Sequence, residues 1–152
     1  ANNEIDEVRG NYTVVECMKH IETSNTVEEI NNIIGFEGTK SEYSNEYTWK
    51  LSNKNWITLK YLGDSPIIQA TIDKETIKND NVKLPSRSEL QDMLNNGSFT
   101  YEELVAKLGG VEGILESKTT TSVGYIWVDK NKQTLGTTFN NESGKCTVAS
   151  YR

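Results

Sequence analysis

The sequence predicts an α+β fold built from two tandem repeats, each a helix-loop-helix followed by a four-stranded antiparallel meander. Three observations carry that prediction. The segment Thr26-Val27-Glu28-Glu29-Ile30, closing at Gly35, returns 74 positions later as Thr100-Tyr101-Glu102-Glu103-Leu104, closing at Gly109. Tyr47, Trp49, Ile57, Leu59 and Tyr61 return 78 positions later as Tyr125, Trp127, Leu135, Thr137 and Phe139. Between the two sets the hydrophobic period changes from 3.6 to 2, where helix gives way to strand.

Residues 1–11 are polar and acidic, with Ile5 and Val8 as the only sizeable apolar groups. Such a stretch buries too little surface to order itself and reads as a flexible tail. It suits the stalk left after signal removal, or one beneath a lipid anchor attached upstream. Repeat one is expected over residues 12–73. Val14, Val15, Met18 and Ile21 give a first amphipathic helix. Thr26 with Glu29 three positions on forms a capping box for the second, the hydroxyl accepting from the third amide while the carboxylate reaches back to the cap. Val27, Ile30, Ile33 and Ile34 form its apolar stripe, and Gly35 supplies the left-handed residue that ends it.

Strands are expected near 40–44, through Tyr47, Trp49 and Leu51, through Ile57, Leu59 and Tyr61, and near 67–72, with Ser52 to Asn55 as the central turn. Residues 74–86 are charged, contain Pro85 and read as a linker. Repeat two, residues 87–152, follows the same order. Leu90, Met93 and Leu94 precede the Thr100/Glu103 capping box and the stripe Tyr101, Leu104, Val105 and Leu108. Strands are then expected near 115–121, around Tyr125 and Trp127, around Leu135 to Phe139, and near 145–151, with Asp129 to Lys132 as the turn. At about 70 residues each, the halves are near the lower limit for separate cores and are expected to share one.

Sixteen basic against 22 acidic residues give a net charge of -6, which argues against nucleic acid or an anionic membrane surface as the main partner. Residues 1–75 hold 13 of the acidic and 7 of the basic groups. No apolar run approaches the ~20 residues of a membrane helix. Cys17 and Cys146 are too few for a disulfide framework and lack zinc-site spacing, so both are read as reduced core thiols.

Candidate chemistry is sparse. His20, the single histidine, follows Cys17 by three positions and Glu16 by four. A Cys/His dyad or half a metal site is one reading; the simpler one is a core thiol beside a Glu16–His20 surface pair. Glu28-Glu29 and Glu102-Glu103 suit helix starts, where negative charge meets the positive end of the dipole. Gly109-Gly110-Val111-Glu112-Gly113 follows a helix and leads into a strand, the reverse of a phosphate-binding loop. Asn11, Asn96 and Asn141 lie in Asn-x-Ser/Thr matches, which an Asn-, Ser- and Thr-rich chain produces by chance. No cofactor is expected.

The order of helix, capped helix ending in Gly and four-stranded meander, given twice through Thr26 to Gly35 and Thr100 to Gly109, resembles the β-lactamase inhibitor protein family. The resemblance implies one curved eight-stranded sheet with helices on one side, and a concave aromatic face with two hairpin loops that grip a partner. Inhibitors of that family place an acidic residue on the first central hairpin and an aromatic on the second. Here Asn55 stands near the first of these places, and Asp129-Lys130-Asn131-Lys132 has no aromatic. The family's internal disulfides have no counterpart.

Tyr47, Trp49, Tyr125 and Trp127 are read as core. Trp56 is read as facing outward, because Thr58 and Lys60 share its strand face. The expectation is a non-enzymatic, secreted or envelope-tethered module that binds a protein or peptide through Trp56, Asn53, Lys54, Asn55, Thr58 and Lys60. An envelope assembly or scaffolding lipoprotein is the alternative, and an enzyme working through Cys17 and His20 is a third.

Overall fold

A computed structural model of the chain describes residues 9–152. Among the described residues the fold is α+β: an open eight-stranded antiparallel sheet, hydrogen-bonded in sequence order, with five helices. The elements run α1 (Val14–His20), α2 (Val27–Ile34), β1 (Thr39–Lys40), β2 (Glu46–Lys50), β3 (Trp56–Leu62), β4 (Ser65–Thr71), α3 (Lys74–Ile77), α4 (Arg87–Asn95), α5 (Tyr101–Lys107), β5 (Ile114–Lys118), β6 (Ser122–Val128), β7 (Thr134–Asn140) and β8 (Cys146–Tyr151). No helix among the described residues is long and apolar enough to cross a membrane. The described residues divide into two compact units: 9–73 with 116–120, and 74–115 with 121–152.

In the first unit, local chemistry sets the helix ends. Thr13 caps α1, its hydroxyl accepting from Glu16 N at 3.2 Å. Thr26 and Glu29 form the expected capping box on α2, with bonds of 3.1 and 2.8 Å. Gly35 ends α2 at φ 104°. The apolar stripes of both helices, Val14, Cys17, Met18 and Ile21 with Ile30 and Ile34, are buried together with Trp49, Ile57, Leu59, Ile68 and Ala70 of the sheet.

The expected tail falls, for residues 1–8, outside the described residues. Arg9 N donates to Leu51 O at 2.8 Å, and its guanidinium lies 4.0 Å from the Phe36 ring centroid. Asn11 N donates to Ile34 O at 2.7 Å, and its side-chain amide reaches the carbonyls of Asn32 and Ile33. Asn11 thus satisfies carbonyls that the end of α2 leaves without a helical partner.

In the second unit Thr100 and Glu103 repeat the capping box on α5. Leu108 is the C-cap, Gly109 stands at φ 94°, and Gly110 N bonds back to Val105 O at 2.9 Å, closing a Schellman motif. The core joins Leu90, Phe99, Leu104 and Leu108 to Trp127, Leu135, Phe139 and Cys146. Residues 74–86, read from sequence as a linker, hold α3 and pack into this unit: Val82 is buried, Asn79 N donates to Val128 O and Lys83 N to Leu108 O.

Two strand expectations are corrected. The strand near 40–44 shrinks to Thr39–Lys40, because Ser41 N bonds to Glu46 O and the chain turns there. The strand expected at 115–121 is Ile114–Lys118, since residues 119–121 must reverse the chain into β6.

Candidate functional site

Along β3 of the first unit, side chains alternate between two faces, as strand geometry requires. Ile57 and Leu59 are fully buried, whereas Trp56 is half-buried, Thr58 partly exposed and Lys60 exposed. The registers Trp56↔Lys50, Thr58↔Thr48 and Lys60↔Glu46 on one side, and Trp56↔Thr71, Thr58↔Gln69 and Lys60↔Ile67 on the other, place these side chains on Trp56's face. The opposite face carries Trp49, Ile57, Leu59 and Ile68 into the core. The outer face is therefore largely polar and mixed in charge, with one indole at its turn end.

The turn beside Trp56 is braced internally. Leu51 N and Ser52 N both donate to Asn55 O at 3.0 Å. Asn55 Nδ2 donates to Ser52 Oγ at 2.8 Å, and its Oδ1 accepts from Asp73 N at 2.9 Å. Asn55 ties the turn to the chain just after β4. Asn53 and Lys54 occupy the exposed tip, with Lys54 N directed at Ser52 Oγ, 3.4 Å away. Of the six residues singled out from sequence, Trp56, Thr58 and Lys60 share one face of β3, Asn53 and Lys54 stand at the tip of the adjoining turn, and Asn55 shapes that turn.

Sequence reasoning missed two apolar groups. Leu62, 74% exposed, lies two steps beyond Lys60 on the same face, and Tyr43, 93% exposed, lies in the β1–β2 loop. Tyr61 N donates to Asn45 O at 3.3 Å, which brings that loop to the β3–β4 end of the sheet. Continuing the alternation 56, 58, 60 by one more step would have found Leu62. Tyr43 had no periodic signal, because its loop has none.

The positions of β6 and β7 that match the Trp56 face by the 78-residue spacing are of another kind. Ile126 (2%), Val128 (1%) and Thr134 (0%) are buried, with Gly124 and Gly136 among them. Ile77 and Asn79 share a small cavity with Ile126 and Val128, and the Arg152 guanidinium lies against Gly136. Around Ile126, Val128 and Thr134 this surface is closed within its own unit, whereas Thr138 is partly exposed and Val148 opposite it is 56% exposed.

Cys17 and His20 do not converge. Cys17 is fully buried and its thiol is pushed up to about 11 by burial, and secondarily by Glu16. His20 is exposed and stacks on Tyr12 with centroids 4.6 Å apart. The expected Glu16–His20 pair is replaced by Glu16–Lys19 at 3.2 Å, since Lys19 reaches the carboxylate across one turn. Cys146 is likewise buried and unpaired with Cys17, its thiol raised by burial. No cluster of three or more His, Cys, Asp or Glu able to hold a metal occurs among the described residues. Compared with protein-family models, with curated proteins and with solved structures, the chain matches none.

Proposed function

We propose that the protein is a non-enzymatic binding module, a tandem duplication of the kind the β-lactamase inhibitor family displays, that captures a protein partner on the Trp56 face of its first unit. The duplication is supported by strand register. Tyr47↔Leu59 and Trp49↔Ile57 in β2–β3 have Tyr125↔Thr137 and Trp127↔Leu135 as counterparts in β6–β7, each 78 residues on. Both indoles are buried against a glycine, Trp49 at Gly38 and Trp127 at Gly113.

One observation carries the binding reading: of two faces with matching sequence positions, the one around Ile126 and Thr134 is buried, while the one from Trp56 to Lys60 is polar and runs from half-buried to exposed. Indoles held half-exposed among polar groups suit interface anchors, because they bring large, stiff surface with little entropy to lose. Asn53, Lys54, Thr58 and Lys60 supply hydrogen bonds and charge around it, and Leu62 extends the apolar contact.

Capture from cell-envelope extracts by the intact protein, with Trp56→Ala as control, tests this reading, alongside titration against a panel of β-lactamases. A specific partner lost on Trp56→Ala, with weakening of about 2 kcal/mol or more and an unchanged melting temperature, is expected. A variant that unfolds would make Trp56 core, and a partner retained by a folded variant would move the site elsewhere.

A further inference from the structure

The edge of the sheet at β8 is half closed and half open. At its start, Cys146 N donates to Phe99 O at 2.8 Å, Ser98 Oγ donates to Cys146 O, and Thr100 bridges Lys145. These contacts cap the edge with the turn between α4 and α5. At its end, Arg152 N donates to Thr134 O at 2.9 Å, while Tyr151 and Ser150 stand opposite Leu135 and Gly136. Hydrogen-bonded and non-bonded pairs alternate in an antiparallel ladder, so the N–H and C=O of Ser150 turn toward β7 and those of Ala149 and Tyr151 turn outward. None of those four outward groups has a hydrogen-bond partner among the described residues.

Helix α4 runs beside this open stretch in the opposite direction. Arg87 at its start lies over Tyr151, 5.9 Å from the ring centroid, and the Tyr151 hydroxyl donates to Pro85 O. A groove of about 210 Å³ separates the two elements, with Arg87, Leu90, Gln91 and Leu94 on the helix side and Ala149 and Tyr151 on the strand side. Its lining is mixed, with Leu90, Leu94 and Ala149 beside the polar Gln91 and Ser150; it has a guanidinium at one end and leaves a row of backbone donors and acceptors along one wall. The smallness of Ala149 leaves space for a side chain to enter.

We propose that this groove binds an extended peptide segment, which adds antiparallel to β8 as a further strand and carries an acidic residue followed, two positions later, by an aliphatic one. Antiparallel pairing is chosen because each outward-facing residue then exchanges both its bonds with a single opposing residue, so three peptide residues satisfy all four open groups. Side chains opposite Tyr151 and Ala149 point to the α4 side of the sheet, as theirs do. The one opposite Tyr151 meets Arg87, whose planar fork matches a carboxylate. The one opposite Ala149 meets Leu90 and Leu94. This site lies in the second unit and is independent of the Trp56 face.

Fluorescence anisotropy with the intact protein tests it, using a labelled peptide that holds Glu-Thr-Leu between polar residues. Saturable binding is expected. N-methylation of the leucine amide, which removes one strand bond without touching the protein, should weaken it by about tenfold or more. Replacing the peptide glutamate by lysine should weaken it similarly, and Arg87→Glu should restore binding of the lysine peptide. Ala149→Pro removes an outward N–H that the fold does not use, so it should abolish binding and leave the protein folded, as circular dichroism would show. Absence of saturable binding, or indifference to N-methylation and charge reversal, overturns the proposal. A concentration-dependent dimer that Ala149→Pro dissolves would assign the edge to a second copy of the chain and overturn it equally.

Discussion

The indole Nε1 of Trp49 donates to Oδ1 of Asn31 at 2.9 Å, and the backbone N–H of Gly38 donates to the same oxygen, also at 2.9 Å. One side-chain carbonyl on α2 thereby satisfies a fully buried indole and fixes the chain leading into β1. In the second unit Trp127 Nε1 donates to a backbone carbonyl, Val111 O, at 2.8 Å. The two tryptophans face one requirement, a partner for a buried donor, and meet it through different groups.

Asn31→Ala should therefore destabilise the protein by about 1–3 kcal/mol, because two donors lose their acceptor together. Asn31→Asp keeps an acceptor oxygen and should cost less. Urea unfolding of the two variants side by side checks the order; equal losses would show that the shared carbonyl does not matter.

The same tryptophans set the tolerance of two glycines. A Cβ on Gly38 would stand 2.5 Å from Trp49 Cε2, and one on Gly113 would stand 2.7 Å from Trp127 Cζ2. Both rings are buried and cannot swing aside. Gly38→Ala and Gly113→Ala should each cost about 1–3 kcal/mol through overpacking, despite the small size of the added methyl. Gly63→Ala meets nothing within 4 Å and carries only the strain of φ +67°, so its melting temperature should fall least of the three.

Thr26→Ala and Thr100→Ala remove the hydroxyl of each capping box. Each should lower stability by about 1 kcal/mol. If the boxes are independent, the double variant should lose the sum, which denaturant midpoints at unchanged slope would show.

The Cys17 thiol, pushed up from 9.0 to about 11, ties stability to pH on the alkaline side. Its folded-state value exceeds its unfolded one, so the protonated thiol favours the fold below about pH 9, and that contribution is lost as pH rises toward 11. Cys17→Ser or Cys17→Ala should flatten this part of the stability profile. Native protein at pH 8 should also resist thiol alkylation at both cysteines until denaturant is added, because both sulfurs are buried.

The capped helices were legible because their signals are local. Thr26, Glu29 and Gly35 act within two helical turns of one another, and Thr100, Glu103 and Gly109 do the same. The central hairpins were legible because period-two alternation fixes which residues share a face, so Ile57 and Leu59 go inward together and Thr58 and Lys60 outward. Residues 74–86 were harder. Their charge suggested a linker, yet Val82 is buried and Asn79 bonds to Val128, 49 positions away, a contact that no local pattern announces.

The site divides the same way. Trp56, Thr58 and Lys60 could be placed on one face by alternation, whereas the role of Asn55 depends on Asp73, and the exposure of Tyr43 on a loop without periodicity. The sequence by itself determined helix starts and stops, the hairpins and the inward or outward sense of most strand residues, since each follows from contacts within a few positions. Only the tertiary structure decided that the surface around Ile126 and Thr134 is buried while that from Trp56 to Lys60 runs from half-buried to exposed, and that β8 is capped at Cys146 but not at Ala149. Those outcomes depend on which distant segments come to lie over a face or along an edge, and burial is a property of the assembled neighbours, not of the residue that is buried.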